Sequence, residues 1–339
     1  MQTVAALETR PQSIAQQSSS GECPACNGRG AKPFLRSRDY FFLREALYTV
    51  VRCPDCHLGW LENAPQAEEM SSHYGNDYDE VITAPGDLYP HHWDVVRNKL
   101  LQYVQGGSIL DLGCSSGSFL RSLKGQGWKR YGIEMSKAVA EQARVSAGAE
   151  VFVGDVLDAS YAENTFDAVT AFHVMEHMYN PREVMAKVLS WLKPGGVFTI
   201  TLPNIDSLEA RIFGGYWFGL DVPRHLWQFS PRALAAMAAS VGLEVVEVGT
   251  TRSCYLDNSI RNGIAEWKLR HGISAMPNCK RKSPSLGIRL MQKVFRLSVV
   301  YPFREIAVAV GTGADLHAVF RKPESSSKLT ELKSASVGR

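Results

Sequence analysis

Nowhere in the 339 residues do 18 apolar side chains follow one another, so no segment reads as a helix that crosses a bilayer. No basic segment leads into an apolar run at the start either, as a secretory leader would require, and the expectation is a cytoplasmic protein. Neither sign of charge dominates: 37 Lys and Arg stand against 34 Asp and Glu, and a net of +3 gives no electrostatic reason to expect a nucleic-acid partner. The glycine spacing of a dinucleotide site, G-x-G-x-x-G, is missing from the most telling turn in the chain. With 45% hydrophobic and 21% charged residues there is enough apolar material for a substantial core, in one large domain with an addition or in two domains.

That turn lies in Ser108 to Phe119, where the apolar run Ile109-Leu110 reaches the acid Asp111, then Gly113, Cys114 and Gly117, and then a helix. Gly113 and Gly117 lack a Cβ, which permits positive φ and lets a ligand approach the backbone beside the free N–H groups of a helix start. A second strand, Arg130 to Ile133, ends in Glu134, whose carboxylate can accept both hydroxyls of a ribose. A third, Glu150 to Val153, leads into Gly154, Asp155 and Val156, and a fourth runs from Asn164 to His173. Leu192 to Gly196 reads as a turn before a fifth, Val197 to Asn204. A sixth covers Leu243 to Gly249 and a last Asp315 to Phe320.

Helices alternate with these strands, starting near Ser118, Ser136, Pro181 and Pro231; the two prolines follow Asn180 and Ser230 as caps. A further helix from about His92 to Val104 carries Val95, Val96, Leu100 and Val104 at helical spacing. Alternating β and α units predict an α/β fold, a parallel sheet covered on both faces.

The order of these features resembles the class I S-adenosylmethionine-dependent methyltransferases, whose first motif is acid-x-Gly-x-Gly-x-Gly. Asp111, Gly113 and Gly117 match it, while Ser115 replaces the middle glycine. The resemblance spans roughly residues 90 to 250 and, more loosely, the final strand. It implies a doubly wound, seven-stranded, mostly parallel sheet of the Rossmann-like methyltransferase type, with the last strand antiparallel and next to the sixth. It implies S-adenosylmethionine as cofactor, held by Asp111, Gly113, Cys114 and Gly117, with Glu134 at the ribose. Asp155 and Val156 would lie at the adenine, and Ala171, Phe172 and His173 would border the methionine end. The domain boundaries expected are a flexible tail over 1–20, a zinc ribbon over 21–75, the methyltransferase domain over 76–322 with an insertion over about 252–312, and a second tail over 323–339.

The ribbon rests on Cys23-Pro24-Ala25-Cys26 and Cys53-Pro54-Asp55-Cys56, four of the seven cysteines. Each Cys-Pro-x-Cys turn aims two sulfurs at one ion, and two such turns complete a closed tetrahedral zinc site of structural type; a redox pair or idle thiols are the other readings. The spacing leaves room for a hairpin around Phe34 to Tyr48. A module this small would owe most of its folding free energy to the metal, roughly 10–16 kcal/mol.

Two segments carry candidate catalytic groups. His173-Val174-Met175-Glu176-His177 has the letters of a zinc-peptidase motif, with two histidines four apart on one helical face, but it follows a core strand of the expected cofactor fold. Asp221-Val222-Pro223-Arg224-His225-Leu226-Trp227-Gln228-Phe229-Ser230 resembles the family's His-x-x-x-Phe-Ser run. His225 there offers an imidazole that can take a proton from a hydroxyl or an acidic carbon and is placed as general base, with packing or substrate positioning as alternatives. His177 is as readily a hydrogen-bonded structural histidine, and Tyr216-Trp217-Phe218 either walls off water or packs as a lid.

The insertion contains Ile288, Met291, Phe295 and Val299 on one helical face and Arg289, Lys293 and Arg296 on another. A helix so divided near 286–299 lies on an anionic membrane surface, at the inner face of the cell membrane, or grips an acidic substrate, or packs on the core with a solvated basic edge. The function expected is methyl transfer to an O- or C-nucleophile of a small-molecule, sugar or lipid-like acceptor. The alternatives are an RNA methyltransferase that grips RNA with the ribbon, and a non-catalytic cofactor-binding protein. Against RNA stand Glu22, Asp55, Glu62, Glu68 and Glu69, which leave the ribbon without a basic stripe.

Overall fold

The computed structural model describes residues 22–74, 92–253, 255–275, 277 and 286–324. The tails expected over 1–20 and beyond 324 and the link over 75–91 lie outside this set. In chain order the elements are β1 (Lys32–Arg38), β2 (Leu47–Arg52), β3 (Gly59–Leu61), α1 (His92–Leu100), β4 (Gly107–Leu112), α2 (Ser118–Ser122), β5 (Trp128–Glu134), α3 (Lys137–Ala147), β6 (Glu150–Val153), β7 (Phe166–Phe172), α4 (Pro181–Trp191) and β8 (Leu192–Pro203). They continue with α5 (Leu208–Phe213), β9 (Trp227–Gln228), α6 (Pro231–Val241), β10 (Glu244–Thr251), α7 (Leu256–Arg270), α8 (Leu286–Phe295), α9 (Tyr301–Ala309) and β11 (Asp315–Arg321).

Seven strands form one sheet in the order β10-β11-β8-β7-β4-β5-β6, with β4 to β8 parallel and β11 antiparallel to both neighbours. The parallel strands read as near-continuous apolar runs because helices cover both faces: Ile109, Leu110 and Leu112 of β4 are all fully buried. The chain builds β4, β5 and β6 outward, then returns to add β7 on the other side of β4. That reversal opens a crevice at the carboxyl ends of β4 and β7, where such folds seat ligands.

Local chemistry accounts for the helix ends. Ser230 Oγ accepts from Ala233 N at 3.0 Å and Pro231 takes the first helical position of α6, which stops at Gly242 with φ 98°. Pro181 starts α4 in the same way, although the Asn180 side chain makes no cap bond to the helix backbone. The turn expected over Leu192–Gly196 is a bulge within β8: Phe166 pairs with Leu192, whereas Ala168 pairs with Val197. Val95, expected on the apolar face of α1, is exposed, and Trp93 joins Val96 and Leu100 in the packing instead.

The ribbon is not a bead on the methyltransferase domain. The expected hairpin is present as β1 and β2, and its sheet continues through β3 into β9, a strand of the catalytic domain. Leu58, Trp60 and Leu61 share one core with Leu226, Trp227 and Phe229. Ser230 Oγ donates to the Cys56 carbonyl at 2.6 Å, and Arg52 and His57 both engage Asp206. The apolar face of β3 is covered by the other domain, so the ribbon has a core shared with the methyltransferase domain in addition to its metal site.

Candidate active site

At the carboxyl rim of β4 and β5 the chain closes around Glu134. Its Oε2 accepts from Ser115 N at 3.0 Å and its Oε1 from Ser136 N at 2.9 Å, which fixes the carboxylate at the mouth of the glycine turn. Lone pairs beyond those two bonds suit it to a pair of ribose hydroxyls. Ser115 holds φ 48°, the left-handed conformation that glycine supplies in the usual motif. The flanking glycines are demanded by packing. A Cβ on Gly117 would lie 3.0 Å from Ala143 Cα, and one on Gly113 only 2.6 Å from Val174 Cγ2.

Asp111 is buried and accepts from Thr170 Oγ1 at 2.7 Å, tying β4 to β7; burial pushes its pKa up to about 7. The Cys114 thiol is buried against Gly132, so only its backbone can meet a ligand. Asp155 Oδ1 accepts from Leu157 N at 2.7 Å beside the buried Val156. Phe172 packs edge-on against Phe119 at 4.9 Å, next to the buried Ala171.

The two candidate segments, far apart in sequence, meet. The His177 and His225 rings stand 4.6 Å apart, and an oxygen of Glu176 and a ring nitrogen of each histidine lie within 4.8 Å of one another. The peptidase geometry is absent. His173 ends its strand at φ 55° with its N–H on Thr201 O, and Met175–His177 form a single tight turn, not a helix presenting both histidines on one face. His225 Nδ1 lies 2.8 Å from the Gly219 carbonyl, which can only accept, so Nδ1 carries the proton and Nε2 offers its lone pair.

Electrostatics set the neighbours apart. Burial favours the neutral form of Glu176, but His173, His177 and His225 together hold it below the ordinary carboxylate range. Burial and the His225 imidazole lower the His177 pKa to about 4. Partial burial opposes the charged form of His173, yet Glu176 at 3.5 Å and Asp315 at 4.0 Å outweigh it and push its pKa up to about 9.

Asp315 is a residue the sequence reading missed. Because β11 runs antiparallel, its first residue arrives at the same rim, opposite Pro203. An acid at the head of a mostly apolar strand was the available signal. Asp39 was missed as well: it sits between β1 and β2 and binds Arg224, with no local pattern to announce it.

The four ribbon cysteines converge. Cys23 and Cys56 Sγ are 3.5 Å apart, Cys26 and Cys53 3.6 Å, and all four lie within 4.8 Å of one another. That spread fits sulfurs at about 2.3 Å from one tetrahedral zinc. Two matching turns build it: Asn27 N donates to Cys23 O and His57 N to Cys53 O, both residues in the left-handed region.

Residues 90–248 match the methyltransferase domain family. The ubiquinone biosynthesis O-methyltransferase of Thiobacillus denitrificans is 32% identical over 155 residues, covering 42% of this chain and 67% of that protein. The chain belongs to the class I S-adenosylmethionine-dependent methyltransferases. The enzyme of the same name from Burkholderia cenocepacia is 28% identical over 159 residues, covering 43% of this methyltransferase and 68% of its own length. A methyltransferase structure from Archaeoglobus fulgidus aligns over 72% of the chain and 98% of its own, with a TM-score of 0.47 at 16% identity, too distant to add to this.

As a methyltransferase it uses S-adenosylmethionine, and the rim fits that group. The fixed carboxylate of Glu134, the left-handed Ser115 and the exposed backbone of Gly113 form the cradle such a nucleoside needs.

Proposed function

We propose that this methyltransferase acts on a hydroxyl oxygen of a small-molecule, sugar or lipid-like acceptor, with His225 as the base. The observation that carries this is the His225 tautomer: with Nδ1 donating to Gly219 O, the lone pair of Nε2 is available in a nearly closed site. Bound S-adenosylmethionine supplies an electrophilic methyl group on a sulfonium. The chain's own residues do the rest. Glu134 would hold the ribose, Asp155 and Val156 the adenine edge, and the Gly113–Cys114 backbone with Ala171 and Phe172 would border the methionine end. Gly117 and Asp111 keep the turn in place from behind.

With the methyl donor bound, His225 Nε2 would take the proton of the acceptor hydroxyl as that oxygen is methylated. Alignment alone supplies roughly 7–11 kcal/mol in favourable cases. His173, held protonated by Glu176 and Asp315, orders the polar wall next to that path. The names of the two relatives support a hydroxylated acceptor of the kind met in ubiquinone biosynthesis, and a sugar hydroxyl suits the same chemistry. The reduced cysteines fit a cytoplasmic setting.

The test is transfer of labelled methyl to a panel of phenolic and sugar hydroxyls by wild type and His225→Gln. Removing a general base should slow turnover by a factor on the order of 10²–10⁴ while KM is nearly kept. A variant whose turnover of a reactive acceptor is unchanged would remove His225 from this role.

A second reading is favoured by Glu176, whose buried carboxylate has the His173 ion pair at 3.5 Å but no hydrogen bond of normal geometry among the described residues. With His177 and His225 it could take a divalent cation that polarises the acceptor oxygen. Activity lost to chelation and restored by manganese would select this reading, because a four-sulfur cage prefers zinc.

A further inference from the structure

Outside the catalytic rim, the insertion between β10 and β11 gathers most of the apolar surface that folding leaves uncovered. Of the twenty large apolar side chains exposed among the described residues, twelve fall between Ile264 and Val310. Helix α8, a π-helical turn over Arg296–Val300 and α9 follow one another without a break as a single helical rod. On the rod Met291, Val294, Leu297 and Ile306, and on α7 Ile264 and Trp267, are each between 51% and 65% exposed. Arg296 pairs with Asp257 and Arg252 with Glu305, so rod, α7 and the end of β10 are held together as one surface.

The same stretch of sequence is basic, and among its described side chains seven Lys and Arg stand against three Asp and Glu. Residues 252–312 hold eleven Lys and Arg against three Asp and Glu, a net of +8 in a chain whose total is only +3. The remainder of the chain is therefore acidic. Among the described residues no helix is long and apolar enough to span a membrane, which leaves a surface that can lie on one.

We infer that this insertion docks the enzyme on an anionic lipid surface, with the apolar side chains of α7 and the rod entering the acyl boundary and their Lys and Arg residues meeting lipid phosphates. A second copy is a poor occupant, since a two-fold contact would set one net-basic surface against another. A nucleic acid would satisfy the charge and leave the exposed Met, Val, Leu, Ile and Trp side chains in water. The inference is independent of the acceptor's identity and of His225.

The test is flotation of the full chain with phosphatidylcholine vesicles, with and without phosphatidylglycerol, at low and physiological salt. Two double variants accompany wild type: Met291→Ser with Leu297→Ser, and Lys268→Glu with Lys293→Glu. S-adenosylhomocysteine affinity, expected to be unchanged in both, shows that they are folded. Wild type should float with the phosphatidylglycerol vesicles and release with salt. The charge-reversed protein should bind at least ten-fold more weakly, at about five-fold per basic charge lost, and the serine variant should stay in the soluble fraction. The inference is overturned if wild type ignores anionic vesicles or if folded variants float as well as wild type. It is equally overturned if wild type sediments as a dimer that the serine substitutions split.

Discussion

The Arg224 guanidinium, one residue before His225, grips the Asp39 carboxylate of the ribbon through two hydrogen bonds of 2.9 and 3.0 Å, both side chains fully buried. The same guanidinium binds Asp221 at 2.6 and 3.0 Å and the His73 carbonyl at 3.1 Å. Its own carbonyl lies 3.0 Å from His177 Nδ1. The backbone that carries the proposed base is thus pinned on one side by the ribbon and on the other by the histidine pair.

Breaking this pair should be costly. Asp39→Ala leaves the guanidinium with one carboxylate, and Arg224→Met takes the guanidinium from both Asp39 and Asp221 and leaves Asp39 with the more distant Arg44 at 3.9 Å. Each should lower stability by about 3–5 kcal/mol, as removal of one partner of a buried pair does. Urea unfolding midpoints check this; a loss below about 1 kcal/mol in both variants would contradict the assigned network.

Zinc removal should reach the active site. β3 pairs with β9, and Ser230 donates to the Cys56 carbonyl, so collapse of the cysteine cage pulls on the segment that follows His225. Metal analysis is expected to find about one zinc per chain. Cys23→Ser together with Cys53→Ser should depress both the melting temperature and methyl transfer. A metal-free protein of normal stability and turnover would show the cage to be idle.

In the cofactor turn, serine and glycine should behave in opposite ways to intuition. Ser115→Gly relieves a side chain held at φ 48°, and stability should stay level or rise by up to about 1 kcal/mol. Gly117→Ala combines φ 80° with a Cβ 3.0 Å from Ala143 Cα, and should destabilise by more than about 1 kcal/mol. Thermal melts of the two proteins decide the matter.

Glu134→Ala should weaken S-adenosylhomocysteine binding by roughly 10- to 100-fold, the worth of charge-assisted hydrogen bonds, without unfolding the protein. Asp111→Ala should lose affinity by a different route, because its carboxyl ties β4 to β7 through Thr170. Calorimetry separates the two when run beside a melt: the first loses heat of binding at normal stability, the second loses both.

Stability should fall in mild acid through His317, in the middle of β11. Burial, with Lys99 nearby, lowers its pKa to about 4 from 6.5. Between those values the unfolded chain takes up a proton that the folded chain refuses, so stability is full above pH 6.5 and drains away toward pH 4. The shift corresponds to about 3 kcal/mol. His317→Gln should flatten this part of the stability profile; an unchanged acid slope would mean that other groups set it.

Much of this was determined by the sequence alone. Strand and helix alternation, the glycine turn with Asp111 and Glu134, the proline starts of α4 and α6 and the paired cysteines are all local patterns, set by side-chain period, capping and the φ freedom of single residues. Even the antiparallel last strand followed from resemblance carried by such patterns. Only the tertiary structure decided that the ribbon lends its sheet to the catalytic domain and that Asp39 holds Arg224. It also decided that Asp315 reaches the rim and that His225 stands against His177 and Glu176. Each of these joins segments far apart in the chain, where strand register and core packing choose the partners, and neither leaves a mark on the neighbouring letters.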